Sequence, residues 1–284
     1  MKREIIISFV LITNICFGKS WKEVIEDYKT VLPNTGILQK QYQAYVSSDA
    51  PTIVDPRIKE IPICENGEKV VDLRLNSSER ILMMQEPNAP FEGPCFNSGL
   101  PSASKMRTGL FVKLQKMIEA LDSLANDFGY EPQQICIKVF EGLRDLNTQK
   151  NLFEKKMKEI LQSNPHFTME MAEQETSKWI SPFRNNVPVH STGAAVDIRL
   201  WDSKKENFLD MGVFGVLWGS NENAPTFSEN ITDEQKRNRL YCLASAETAE
   251  LTNYVYEYWH FSSQDRYDVY WKNLDECRAL YGSI

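Results

Sequence analysis

Histidine is scarce in this chain, with three among 284 residues, so any imidazole-built site must draw on His166, His190 or His260. Basic charge is not in excess: 32 Lys and Arg stand against 39 Asp and Glu, a net charge of −7. That balance argues against a non-specific nucleic-acid binder, which needs a cationic face. The six cysteines contain no C-x-x-C pair, which argues against a cysteine zinc site. No apolar run reaches the roughly 20 residues of a membrane-spanning helix. No short repeat, heptad or collagen-like period is present. What is there is a globular composition, 42% hydrophobic and 11% aromatic, in a chain long enough for one large domain with an extension.

The first residues carry an address. Lys2 and Arg3 precede an apolar run from Ile5 to about Phe17, and Cys16-Phe17-Gly18 places small residues where a signal peptidase reads. Residues 1–18 are therefore expected to be a cleaved leader, the alternative being a buried N-terminal strand or helix. Export permits disulfides. Five cysteines would remain, an odd number; Cys136 and Cys242 sit in core-like patterns, and Cys64 with Cys95 is the pairing to test. Residues 19–66 are mixed and turn-rich and are expected to form an N-terminal extension, leaving 67–284 as the main domain.

Periodicity outlines that domain. Lys69–Leu75 and 134–140 have strand character. Leu110, Phe111, Leu114, Met117, Ile118, Leu121 and Leu124 recur at three and four, which predicts an amphipathic helix stopped by Gly129. Further helices are expected from Asn147 to about Leu161, from Met169 to about Ile180, from Asp233 to about Leu251 and from Tyr267 to Tyr281. Strands are expected at 194–200 and 255–261, with a long loop over 202–230. Without regular βαβ alternation the class is α+β.

Chemistry concentrates in two segments. One is Val187-Pro-Val-His190-Ser-Thr-Gly193-Ala-Ala-Val-Asp197, the other Glu257-Tyr-Trp-His260. A catalytic zinc takes three ligands from imidazole and carboxylate and keeps a fourth position for water. His190, Asp197 and His260 supply that set, and Glu257 is left to accept a proton. Glu257 and His260 are three apart, which on a regular strand sends them to opposite faces, so a bulge or a strand end is expected there. Gly193 predicts a tight turn feeding the strand of Asp197.

The pattern H-x-x-G-x-A-x-D followed by E-x-W-H resembles the zinc D-alanyl-D-alanine dipeptidases, among the zinc D,D-peptidases that share a fold with hedgehog signalling domains. It reads His190, Gly193, Ala195, Asp197, then Glu257, Trp259, His260. A third segment, Val139 to Gln149 with Arg144, is similar to that family's "D-G-Y-R-P…Q" turn. Weaker similarities lie at Val71-Asp72-Leu73, Asp210-Met211-Gly212 and His260 to Tyr267. The resemblance implies a small, mainly antiparallel sheet flanked by helices and one Zn2+ per chain on His190, Asp197 and His260. It also implies Glu257 as general base and Arg144 as the residue that stabilises the oxyanion, a role suited to a fixed guanidinium.

The implied activity is an exported, periplasmic or secreted dipeptidase that hydrolyses D-Ala-D-Ala. A D,D-carboxypeptidase on longer peptidoglycan stem peptides, or an inactive zinc-containing wall-binding domain, are the alternatives. The chain also departs from the pattern. Pro188 replaces the Ser common two residues before the first histidine. No acid follows Met211-Gly212 where many members anchor the substrate's amino group. Phe140-Glu141 stands in place of apolar-Asp. His166 has no assigned role.

Overall fold

The computed structural model describes residues 18–32, 36–76, 78–84, 101–178, 180–213, 221–273 and 278–284. Most of the expected leader and three cysteines, Cys16, Cys95 and Cys277, lie outside these residues, as does the expected Cys64–Cys95 pairing; Cys64 is exposed, and Cys136 and Cys242 are buried.

Three helices open the described chain: α1 (Trp21–Tyr28), α2 (Gly36–Val46) and α3 (Pro56–Lys59). Ser20 and Glu23 form a reciprocal cap on α1, which satisfies amide donors that the first turn leaves open. These helices do not stand apart from the rest. Trp21, Val24, Leu38 and Ile58 enter the same buried apolar cluster as the main domain.

Strands β1 (Val70–Asp72), β2 (Ile81–Met83) and β3 (Lys105–Arg107) come next, followed by α4 (Thr108–Leu124), β4 (Ile135–Glu141), α5 (Leu146–Ser163) and α6 (Met169–Ser177). Then follow β5 (Ala195–Asp202), β6 (Asn207–Phe208), α7 (Asp233–Thr248), β7 (Thr252–Tyr254), β8 (Glu257–Ser262) and α8 (Arg266–Lys272). Among the described residues β1 pairs β3 alone, while the main sheet runs β2-β4-β5-β8-β7 with β6 on the far end of β5. Its pairs are antiparallel except β2 with β4. This is the α+β sheet flanked by helices that the sequence predicts.

Leu110, Leu114, Met117 and Leu121 of α4 share one core with Ile135, Ile137 and Val139 of β4 and with Val196, Ile198 and Leu200 of β5. Those three β5 residues alternate with Asp197, so the packing that fixes the strand's register also fixes the face on which Asp197 stands.

Three expected boundaries differ. Asp145, not Asn147, caps α5, its carboxylate accepting from the Thr148 N–H at 3.0 Å; the helix starts at Leu146, so Asp145 stands at the N-cap and its carboxylate meets the open amides. The aromatic run 255–261 is not one strand, because the chain turns at Val255-Tyr256 and makes the hairpin β7–β8. The last helix ends at Lys272, with Asn273 left-handed (φ 47°), and Ala279 instead bridges Ile63.

Candidate active site

His190 sits in a 3-10 turn, Val189–Thr192, closed by Gly193 at φ 71°. That left-handed turn redirects the chain into β5, where Asp197 lies directly opposite His260 of β8. His190 Nε2 is 3.1 Å from His260 Nδ1 and 3.4 Å from Asp197 Oδ1, and His260 Nδ1 is 3.0 Å from the same carboxylate oxygen. Three donors each about 2.0–2.2 Å from a tetrahedral zinc would sit about 3.3–3.6 Å apart, so this slightly tighter triangle is close to one face of such a site. All three side chains are buried. His190 Nδ1 faces the Gly142 carbonyl at 2.8 Å, a contact that fixes which ring nitrogen turns inward. Gly142 has to be glycine, since a Cβ there would run into the Lys105 carbonyl.

Glu257 reaches the same point from the start of β8, with Oε2 3.9 Å from His260 Nδ1. The strand is broken to allow it. Asn253 pairs Phe261 and Tyr254 pairs Glu257, so Tyr258, Trp259 and His260 have no β7 residue opposite them and form a bulge on that side. Bulged carbonyls need donors. Asn253 Nδ2 provides them, 3.2 Å from the Glu257 and Tyr258 oxygens and 3.0 Å from that of His260. The sequence gives no sign of this role, because an asparagine reads as a turn residue until the register is known.

Arg144 follows β4. Its Nε and Nη2 donate to the two oxygens of Glu141 at 2.8 and 2.6 Å, and Nη1 donates to Gln149 Oε1 at 3.0 Å. A bulge at Phe140 sets Glu141 opposite Asp197. The unusual glutamate of the sequence is thus the residue that aims Arg144, and Gln149, tied to the Ser181 carbonyl at 2.6 Å, completes the clamp. His190, Glu257, His260 and Arg144 line one cleft of about 460 Å³, partly open to solvent, whose remaining walls include Ile53, Leu152, Ile180, Pro188, Val189 and Tyr254. The Asp210-Met211-Gly212 segment is bound to α7, where Gln235 and Arg239 hold it. His166 is exposed against Phe167.

The charges divide by position. Burial opposes ionisation of Asp197, but its contacts with His190 and His260 hold its carboxyl below the usual range. Burial likewise opposes a charge on His190, and the Asp197 carboxylate outweighs it and raises the imidazole pKa. For His260 burial prevails and the pKa falls. Burial, and then the Asp197 charge, push Glu257 well above the ordinary carboxyl range. Its Oε1 has no hydrogen-bond partner among the described residues. A carboxylate with raised proton affinity and one open oxygen, beside a donor triangle of this kind, has the properties of a proton acceptor.

Comparison with known proteins finds similarity in the second half of the chain. Residues 139–276 match the family model Peptidase_M15, described as D-ala-D-ala dipeptidase. Among solved structures, VanYB in complex with D-alanine-D-alanine is similar, with a TM-score of 0.34 and 13% identity over 61% of this chain and 80% of that one. A variant of the vancomycin-resistance D,D-pentapeptidase VanY from a VanB-type cassette, in complex with Zn(II), has a TM-score of 0.29 and 19% identity over 61% of this chain and 82% of that one. No curated protein matches the chain significantly.

Proposed function

Residues 139–276 form a domain of the zinc D,D-peptidase family, a zinc metallopeptidase domain, and from that premise we propose that the chain hydrolyses the peptide bond of D-Ala-D-Ala with His190, Asp197 and His260 as the zinc ligands. The observation that carries this reading is the donor triangle of 3.0, 3.1 and 3.4 Å on a cleft that also holds Glu257 and Arg144.

Zinc held by these residues supplies a Lewis acid and lowers the pKa of water toward about 7. Glu257 takes the proton of the attacking water on its open oxygen and returns it to the departing amine. Arg144, locked between Glu141 and Gln149, presents a fixed positive charge to the carbonyl oxygen as it turns negative; donors already in place need no reorganisation in the transition state. The inactive wall-binding alternative has no use for a buried glutamate with one open carboxylate oxygen beside the proposed ligands.

The cleft walls favour a second reading of the substrate. Among its described lining residues Arg144 and Glu257 are the only charged groups besides the two histidines, and the rest are mostly aliphatic. A free dipeptide would bring its ammonium next to that wall with no acid among the described lining residues other than Glu257, already committed as the base, which is costly without a partner. An acylated residue of a longer stem peptide carries no such charge, which supports D,D-carboxypeptidase action. The decisive assay is D-alanine release by the zinc-loaded protein from free D-Ala-D-Ala and from a pentapeptide ending in it. Release from the pentapeptide alone establishes the carboxypeptidase, release from the dipeptide establishes the dipeptidase, and no release from either overturns the enzymatic reading.

No helix among the described residues is long and apolar enough to cross a membrane. With a leader over residues 1–18, the reading places the mature protein in the periplasm or outside the cell, where wall peptides are found.

A further inference from the structure

The segment before residue 66 lies outside the part that matches the family, yet it touches the cleft. Ile53 is half-buried and lines it together with Tyr254, Val189 and the metal-facing histidines. Ile53 is not held there loosely. Its main chain lies beside the Tyr254 hydroxyl. Three residues earlier the Ala50 carbonyl accepts from Tyr256 Oη at 2.8 Å. Further on, Ile58 is buried in the core, and the Ile61 carbonyl accepts from Arg266 Nε at 2.7 Å. From α2, Gln41 Nε2 donates to the Asn253 carbonyl at 2.7 Å. The segment therefore grips Asn253, Tyr254 and Tyr256, all in the hairpin whose second strand carries Glu257 and His260.

Ile53 and Val189 also line a second, partly open cleft of about 270 Å³ that includes Thr192 and Asp265. A branched aliphatic side chain that borders both clefts limits the room on the catalytic side.

We propose that Ile53 is a specificity-determining residue, a wall supplied by the N-terminal segment that limits the size of an apolar substrate side chain next to the scissile bond. The inference rests on the peptidase reading above and adds to it a subsite taking small, uncharged side chains. A wall of this kind discriminates by the size of one side chain, where each methylene is worth roughly 10- to 200-fold.

The test compares wild type, Ile53→Ala and Ile53→Phe as zinc-loaded full chains on peptides ending in D-Ala-D-Ala, D-Ala-D-Leu and D-Leu-D-Ala. The readout is the ratio of kcat/KM values, with zinc content and thermal melting measured beside it. Ile53→Ala is expected to shift the ratio of D-Leu to D-Ala in favour of D-Leu by roughly tenfold at one of the two positions, and Ile53→Phe to move it the other way at that position. Loss of folded protein lowers all three rates together and leaves the ratios fixed. If Ile53→Phe does not fold, Ile53→Val takes its place, with a smaller shift in the direction of Ile53→Ala. Ratios unchanged to within about twofold at both positions overturn the proposal while leaving the peptidase reading intact. A wild-type protein that cleaves none of the three removes that reading and the proposal with it.

Discussion

The two strands that face each other across the candidate metal site solve different problems. β5 is regular. Val196, Ile198 and Leu200 are driven into the core, so Asp197 must appear on the other face. β8 is broken. It brings His260, a proposed ligand, and Glu257, the proposed base, to one point from positions three apart, which an unbroken pleat cannot do. The bulge between Asn253 and Tyr254 makes this possible, and one amide side chain takes up the carbonyls it frees. A metal ligand can thus be placed by packing alone. A base that must stand beside the metal without binding it requires departure from regular structure, with a dedicated residue to support the departure.

The largest effects should separate the two strands. Asp197→Ala is expected to lose both zinc and activity, whereas Glu257→Gln should keep one zinc per chain and lose about 10³ in kcat, within the range for a general base. Elemental analysis beside a D-alanine release assay reads both. Zinc lost from Glu257→Gln as well would make Glu257 a ligand and erase the distinction. Next in size is Arg144→Lys, expected to cost about 10² in kcat with little change in KM, as for a lost oxyanion donor; an ammonium cannot hold the paired contact to Glu141 and the contact to Gln149 together. A loss confined to KM would assign Arg144 to substrate binding instead.

Legibility in the sequence follows the same division. His190, Asp197, His260 and Glu257 stand out in the sequence by residue type and above all by the resembled pattern, and the fold brings the first three within reach of one another; the strand end at Glu257 follows from the conflict between spacing and pleat. The α+β class followed from hydrophobic period, as α4 illustrates. Glu141, Asn253 and Ile53 could not be singled out. Their work is to aim a guanidinium, fill a bulge and wall a cleft, and each depends on neighbours that only the folded register brings near. Glu141 alone left a trace, as an acid one methylene longer than the resembled pattern. Ala, Leu and Tyr recur over 267–281 at helical spacing, yet the helix ends at Lys272 and Ala279 pairs with Ile63.

Two smaller substitutions test the contrast within the scaffold itself. Asn253→Ala leaves three buried carbonyls without their donor, and should lower stability by about 1–3 kcal/mol. Because those carbonyls belong to Glu257, Tyr258 and His260, kcat should also fall, by about tenfold, an order-of-magnitude expectation for a misplaced base. Gly193→Ala disturbs the regular side instead. A Cβ there meets nothing nearer than Ile284 Cδ1 at 3.4 Å, so its cost is the left-handed backbone alone, about 1–2 kcal/mol. Thermal melting should register that loss, while kcat and zinc content stay near wild type, since Asp197 is held by the core packing of its own strand. If Gly193→Ala instead lowered kcat as far as Asn253→Ala does, the turn at His190 would be as finely balanced as the bulge, and regular packing would not be what secures the metal ligands.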